Sequence, residues 1–327
     1  MRIYHSLEEL EEYPDRRRVV AIGVFDGVHR GHQLILKEAV ASAQDRGDVA
    51  TAVTFHPHPE AVLRPRMAPR VLTLLPRKAA LIAALGVDEL VVVKFDRDFA
   101  RLSPEDFCRV VLSEHLGAGL VLVGENFRFG YKGSGSPSDL EAYGRTHGFV
   151  VRAVPLAWEG GEAISSTRIR ALLKGGYVRE AERLLGRPHR LEGVVVEGAH
   201  RGRTLSAPTA NLAPDPEVAV PGHGVYITRT FLEGYGVHPS VTSVGTNPTF
   251  EVDRKLRVET LLLDFSGEVY GAHMAVDFLE RLRSQQKFAD VERLRRQIQH
   301  DVEIARGYWE ARAYLLAEDV SGEGALL

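Results

Sequence analysis

The stretch Arg18-Val19-Val20-Ala21-Ile22-Gly23-Val24-Phe25-Asp26-Gly27-Val28-His29-Arg30-Gly31-His32 decides the fold of the first half of the chain. Its apolar run, residues 18–24, reads as a buried strand. The run gives way to a glycine-spaced loop, and residues 33–46 then carry Leu34, Ile35, Ala39 and Val40 at helical spacing. Strand, loop and helix in that order form the opening unit of a parallel sheet. Outward from it the alternation continues. Residues 49–55, 87–95, 120–123 and 149–154 read as strands, and residues 77–85 as a helix. Ser103-Pro104-Glu105-Asp106 opens another helix: serine caps it, proline suits its first turn, and the acids suit its positive dipole end. This pattern predicts an α/β domain with helices on both faces of the sheet and ligands at the carboxyl ends of the strands.

Past Gly186 the period changes. Residues 191–197, 224–232, 239–244, 256–265 and 273–279 are β-type runs divided by Gly, Pro and Asn, which predicts a small antiparallel barrel or sandwich. Residues 288–316 return to helical spacing and should cover one side of it. Two domains, 1–186 and 187–327, suit a chain of 327 residues.

Bulk properties remove several function classes. A net charge of -3 supplies no basic field for nucleic acid and no polybasic membrane patch. The single cysteine, Cys108, excludes an internal disulfide framework and a cysteine-based zinc cluster, which fits a reducing compartment. Residues 1–8 lack a signal core, and no apolar run approaches the roughly 20 residues of a membrane span. The expectation is a cytoplasmic protein without nucleic-acid or membrane partners, acting as a monomer or a transient homo-oligomer.

The first candidate site is the opening loop. Gly23, Gly27 and Gly31 allow tight turns and close approach of backbone to ligand. The helix N-terminus behind them suits phosphate. His29 and His32 add donors able to stabilise charge developing on a phosphorus. Phe55-His56-Pro57-His58-Pro59 follows the second strand, with its prolines fixing the direction of two imidazoles. Asn126, Phe127 and Arg128, after a later strand, offer an amide, an aromatic face and a guanidinium suited to a planar ring with polar edges. Ser165, Thr167 and Arg168 lie where a helix begins and suit a triphosphate. Neither a Walker A sequence nor a G-x-G-x-x-G fingerprint is present.

The second candidate site lies in the barrel half. Thr209 and Asn211, two residues apart on an extended chain, face one side and are hard oxygen ligands suited to Mg²⁺. Arg201 and Arg203, in the Gly/Arg-rich run before them, are candidates to meet phosphates. Glu259, a carboxylate in an otherwise apolar run, suits a general base for a hydroxyl attacking the γ-phosphate of ATP.

At this point the chain resembles the bacterial bifunctional riboflavin kinase/FAD synthetase family. The likeness runs through residues 23–32, 55–59, 123–130 and 164–170. It continues through 208–211, Pro221-Gly222-His223-Gly224-Val225-Tyr226, residues 245–250, and Glu259 with Leu262-Leu263-Asp264-Phe265. It implies a Rossmann-like nucleotidyltransferase domain followed by a small antiparallel β-barrel with a C-terminal helix. It also implies two reactions. The barrel half phosphorylates riboflavin to FMN with ATP and Mg²⁺, Thr209 and Asn211 placing metal and phosphates and Glu259 acting as base. The front half transfers AMP from ATP to FMN, giving FAD and pyrophosphate. His29, His32, His58 and Arg168 then serve the ATP phosphates together with Gly23, Phe25, Asp26 and Gly31, and Asn126 and its neighbours line the flavin–nucleotide pocket. Two departures concern the kinase half: Leu205-Ser206-Ala207 stands where members carry Leu-Gly-Phe, and Leu261 where many carry His. They leave open a monofunctional FMN adenylyltransferase with a degenerate barrel, and a non-catalytic flavin-binding protein.

Overall fold

The computed structural model describes residues 1–13, 15–197, 209–246 and 256–312. The chain divides into two compact units, Met1–Ser166 and Thr167–Leu327.

The first unit is a six-stranded parallel sheet formed by β1 (Arg2–Tyr4), β2 (Arg18–Ile22), β3 (Val49–His56), β4 (Glu89–Lys94), β5 (Ala118–Gly124) and β6 (Val150–Val154), in the order β1-β4-β3-β2-β5-β6. Alternation along β2 builds both cores. Val20 and Ile22 join Phe107, Leu112, Leu116 and Phe149 on one face. Val19 and Ala21 join Leu36, Ala39, Ala43 and Ile82 on the other. Each large aliphatic side chain so buried contributes about 1.5–3 kcal/mol before entropy is counted.

The second face is covered by α1 (Arg30–Arg46) and α3 (Leu75–Ala83), with the short α2 (Pro59–Leu63) after β3. On α1, Leu36, Ala39 and Ala43 form the buried stripe. Gly47, at φ 68°, ends the helix by donating its N–H to the carbonyls of Ala43 and Gln44. The first face is covered by α4 (Pro104–Asp106), which runs into a π-helical stretch, Phe107–His115, and by α5 (Pro137–His147). Ser103 caps α4 with Pro104 in the first turn, as its sequence predicts.

A two-stranded hairpin, β7 (Trp158–Glu159) and β8 (Glu162–Ala163), turns through Gly160 and Gly161, both at positive φ as a tight hairpin turn requires. The chain then enters α6 (Ser166–Gly175) and α7 (Val178–Leu185).

The second unit is a closed barrel of β9 (His189–Val196), β10 (Thr209–Pro214), β11 (Gly224–Leu232), β12 (Gly236–Gly245), β13 (Arg257–Leu262) and β14 (His273–Arg283), in the order β10-β13-β12-β11-β14-β9, every pair antiparallel. Of the two architectures left open by spacing alone, the barrel is present. It is closed in part by hydroxyls. Thr228, Thr230, Ser240, Thr242 and Thr260 are all fully buried and hydrogen-bond to one another at 2.7–2.9 Å. Such a ladder satisfies its own polar atoms and is lost by any one-residue slip of register.

The terminal helix, α8 (Val291–Glu310), is capped by Asp290, whose side chain accepts from the Arg293 N–H. Ala305 and Trp309 pack on Val225, Ile227, Val241 and Leu279 of the barrel. Asp301, one turn earlier, is held by Arg283 at 2.7 Å.

Candidate functional sites

The strand order reverses at β2. One crossover leads from β2 to β3, while β5 pairs along its other edge. Loops leaving a parallel sheet at such a point diverge and open a crevice. The loop after β2, the loop after β3 and the loop after β5 therefore leave adjacent strands at one end of the sheet. They are the segments bearing His29 and His32, His58, and Asn126–Arg128.

His29 is the N-cap of α1. Its Nδ1 accepts the His32 N–H at 3.3 Å, so the neutral ring carries its proton on Nε2, which is thereby a donor. The two imidazoles stack, centroids 3.5 Å apart, and His32 meets the buried Phe25 edge-on at 5.3 Å. The first turn of α1 holds no acidic residue, so the positive end of its dipole is not offset there.

The loop backbone differs from the glycine pattern expected of it. Gly27 has φ 83°, but the other left-handed residues are Phe25 at 50° and Val28 at 40°. Non-glycine residues in that region cost on the order of 1–3 kcal/mol each and persist only where surroundings impose them. Gly23 and Gly31 answer to space instead. A Cβ on Gly23 would lie 2.8 Å from the Phe25 ring, and one on Gly31 would lie 3.3 Å from the His29 ring. Asp26 is buried and accepts the Leu72 N–H at 2.7 Å, while its own carbonyl accepts the Ser166 hydroxyl at 2.9 Å.

After β3 the His56–Pro57 peptide is cis, and His58 caps α2 by accepting the Glu60 N–H. After β5, Asn126 and Arg128 are exposed and Phe127 is half-buried, stacked on the buried Phe129 at 5.8 Å. Phe129 packs against Phe107 and so belongs to the core. Ser165 precedes Ser166 in the first unit, whereas Thr167 and Arg168 fall in the second. Thr73, just before α3, and Lys78, on α3, also grip the loop, and neither stands in a motif of the sequence. The available signal was a lysine placed at a buried position of an apolar helix.

In the barrel, Asn211 pairs directly with Glu259 across β10 and β13, and Ser243 of β12 pairs with Glu259 on its other side. Thr209 pairs with Leu261. Directly opposed residues carry side chains on one face, about 5 Å apart at Cβ. The alternate residues Ala210, Leu212, Val258, Thr260 and Leu262 are buried, so Thr209, Asn211 and Glu259 share the partly exposed outer face. Arg257 approaches Glu259 at 3.9 Å. Two neutral oxygen donors beside a carboxylate fit Mg²⁺, which keeps waters and binds through few protein ligands plus phosphate. Among the described residues there is no cluster of three or more His, Cys, Asp or Glu able to hold a metal. Arg201 and Arg203, the departure Ser206-Ala207, and residues 247–250 lie outside the described residues.

Next to this face is a cavity of about 480 Å³ between β13 and α8. Leu261, Leu263, Ile298 and Val302 give it apolar walls, and Arg295, Gln299 and Glu303 give it polar ones. Arg306 closes one side with a two-pronged ion pair to Asp264, at 2.6 and 3.0 Å. These helix residues stand outside every motif of the sequence. Their signal was the recurrence of polar groups at 295, 299, 303 and 306, one turn apart.

The FAD synthetase family model matches residues 11–168 and the riboflavin kinase family model matches residues 185–309. The chain is 37% identical over 300 residues to the bifunctional riboflavin kinase/FMN adenylyltransferase of Listeria monocytogenes, covering 91% of this chain and 95% of that one. It is 35% identical to the protein so named from Escherichia coli K12, covering 94% and 98%, and 36% identical to that of Bacillus subtilis, covering 90% and 93%. A solved structure from Streptococcus pneumoniae, named as a macrolide-efflux protein, superposes with a TM-score of 0.83 at 30% identity, covering 93% of this chain and 98% of that one. No helix among the described residues is long and apolar enough to cross a membrane.

Proposed function

Since the chain belongs to the bifunctional riboflavin kinase/FMN adenylyltransferase family, with an FAD synthetase domain ahead of a riboflavin kinase domain, we propose how its residues divide the two reactions. We keep the division between the functional halves at 186/187. This assigns α6 and α7 to the front half, although by compactness they group with the barrel. The αL glycine that ends α7, Gly186, supports the choice, as does the start of the kinase match at residue 185.

In the front half, a phosphate oxygen of FMN attacks the α-phosphorus of ATP, the bond to the bridging oxygen of pyrophosphate breaks, and pyrophosphate leaves. The nucleophile is already ionised, so no protein base is required. The chain supplies position and charge stabilisation. His29, His32 and the N-terminus of α1 meet the phosphates. Gly23, Phe25, Asp26 and Gly31 shape the loop, His58, Ser165, Thr167 and Arg168 extend the ATP site, and Asn126, Phe127 and Arg128 face the flavin nucleotide. The observation that carries this reading is that three loops leave adjacent strands around the crevice at the switch point of the sheet, with the histidine pair on a helix N-terminus.

In the barrel half, the terminal ribityl hydroxyl of riboflavin attacks the γ-phosphorus of ATP. Glu259 takes its proton, and ADP leaves. Thr209 and Asn211 would hold Mg²⁺, which supplies charge neutralisation on the phosphates when bound; Arg201 and Arg203 are assigned to the same phosphates. The isoalloxazine ring fits the cavity between β13 and α8, whose mixed walls suit a flat ring with polar edges. Leu261 lies on that wall, where it gives apolar contact. We further propose a cytoplasmic enzyme, monomeric or a transient homo-oligomer, without nucleic-acid or membrane partners, as its slight negative charge suggests.

A double dissociation tests the assignment. Glu259→Gln should abolish FMN formation and spare FAD formation from supplied FMN, whereas His32→Asn should do the reverse. Loss of both activities in either folded variant would defeat the division of labour.

A further inference from the structure

We propose that Thr73 and Lys78 are positioning residues for adenylyl transfer, holding the loop between β2 and α1 in the left-handed backbone it needs to receive nucleotide. The inference rests on the reading of that loop as the ATP site.

Both residues lie outside the loop, on and just before α3, and both grip its main chain. The Thr73 hydroxyl accepts the Gly27 N–H at 3.2 Å. The Lys78 ammonium donates to the Val24 carbonyl at 2.9 Å, and the Thr54 hydroxyl donates to the same oxygen at 2.9 Å. Asp26 completes the clasp from the loop side, accepting the N–H groups of Leu72 and Thr73 at 2.7 and 3.4 Å. The gripped residues, Val24, Asp26 and Gly27, alternate with or adjoin Phe25 and Val28, the two non-glycine residues at positive φ. Left-handed backbone at a β-branched valine does not persist by itself. The segment 72–78 is therefore a principal external constraint on it, acting beside the Thr54 and Ser166 hydroxyls.

Lys78 is unusual in its own right. It is only 7% exposed, and burial depresses its affinity for a proton, an effect opposed by the neighbouring Asp26 carboxylate. A buried ammonium directed at a backbone carbonyl and facing a buried acid is a costly way to fill space. Methionine would fill it more cheaply, and what it would lack is the grip on Val24. In-line attack at phosphorus is sensitive to displacements of an ångström. Release of the loop should therefore appear in turnover more than in ATP binding, which many contacts share.

The test uses the full chain, with its own kinase activity as the internal control for folding. Thr73→Val keeps the shape and removes the acceptor; Thr73→Ser keeps the acceptor. Thr73→Val should lower kcat for FAD formation from FMN about tenfold or more, with KM for ATP changed less than about threefold. Riboflavin kinase activity should be unchanged. Thr73→Ser should restore kcat to within about threefold of the parent. Lys78→Met should reproduce the selective loss, and it carries the comparison if Thr73→Val does not fold. Equal kcat in Thr73→Val and Thr73→Ser, or matched losses of both activities, overturns the proposal. His32→Asn in the same assays separates the premises. If it abolishes FAD formation while Thr73→Val and Lys78→Met do not, the positioning role alone falls. If none of the three affects FAD formation, the loop is not the nucleotide site and both readings fall.

Discussion

His189 makes the stability of the barrel depend on pH in a way that can be calculated. It opens β9, is fully buried, and has Nε2 2.7 Å from the Ala219 carbonyl oxygen. Burial pulls its pKa down to about 4, an effect deepened by Arg187 and opposed by the Ala219 hydrogen bond and by Asp277. In the unfolded chain the value returns to about 6.5. Protons therefore favour the unfolded chain. The stabilisation is fully present above pH 6.5 and is lost as pH falls from there towards 4. Between pH 8 and pH 5 this one group should cost the barrel about 2 kcal/mol, and about 3 kcal/mol once the transition is complete. The comparison is His189→Gln, which keeps a donor for Ala219 and does not titrate. Trp158 and Trp309 are the chain's two tryptophans. In a Trp158→Phe background the buried Trp309, packed between α8 and the barrel, reports barrel unfolding. Urea unfolding at pH 8 and pH 5 should show the histidine protein losing about 2 kcal/mol more than the glutamine variant. Equal losses would refute the assignment of His189 as a buried neutral imidazole.

Three further outcomes follow from the same packing. Asp277 lies between Arg190, at 2.7 Å, and Arg229, at 2.8 Å, all three buried. Asp277→Asn should cost the barrel about 3–5 kcal/mol in urea unfolding at pH 7. Although burial alone would raise the Asp277 pKa, the two arginines hold it below the ordinary value. Its contribution is thus present above about pH 4 and lost below, and the gap between parent and Asp277→Asn should narrow in that range. A Cβ on Gly193 would collide with the Ala213 carbonyl oxygen across β9 and β10. Gly193→Ala should push β10, which carries Thr209 and Asn211, out of register and reduce FMN formation while leaving FAD formation from FMN intact. Removal of Mg²⁺ by a chelator should stop phosphorylation of riboflavin, with activity returning when the ion is restored in excess.

Much of the fold was legible because periodicity is set by burial. The strand at 49–55 appears as Val49–His56, and 224–232 appears as Gly224–Leu232 without change. The capped start of α4 was readable because Ser103 and Pro104 act through local geometry. Elements whose stability comes from elsewhere were not readable. β1 has three residues, too few for a period, and exists by pairing with β4. β10 shows in the sequence only as a motif, since its residues, Thr-Ala-Asn-Leu-Ala-Pro, have little β propensity and the strand is held by β9 and β13. The run at 256–265 is cut to Arg257–Leu262 because Asp264, at φ 54°, turns the chain. The site was legible in its loop residues, which carry unusual chemistry close together in sequence. Its supports were not: Thr73 and Lys78 lie some 45 to 55 residues from the loop they hold, and the wall of the barrel cavity comes from a helix whose polar stripe looks like any solvated face.

The most direct test of two activities in one chain is a single reaction of the purified protein with riboflavin, ATP and Mg²⁺, resolved by chromatography over time. Riboflavin should decline, FMN should rise and then fall, and FAD should accumulate as the final flavin. If riboflavin persists while supplied FMN is still converted to FAD, the barrel is not a kinase and the assignment of Glu259, Thr209 and Asn211 is contradicted.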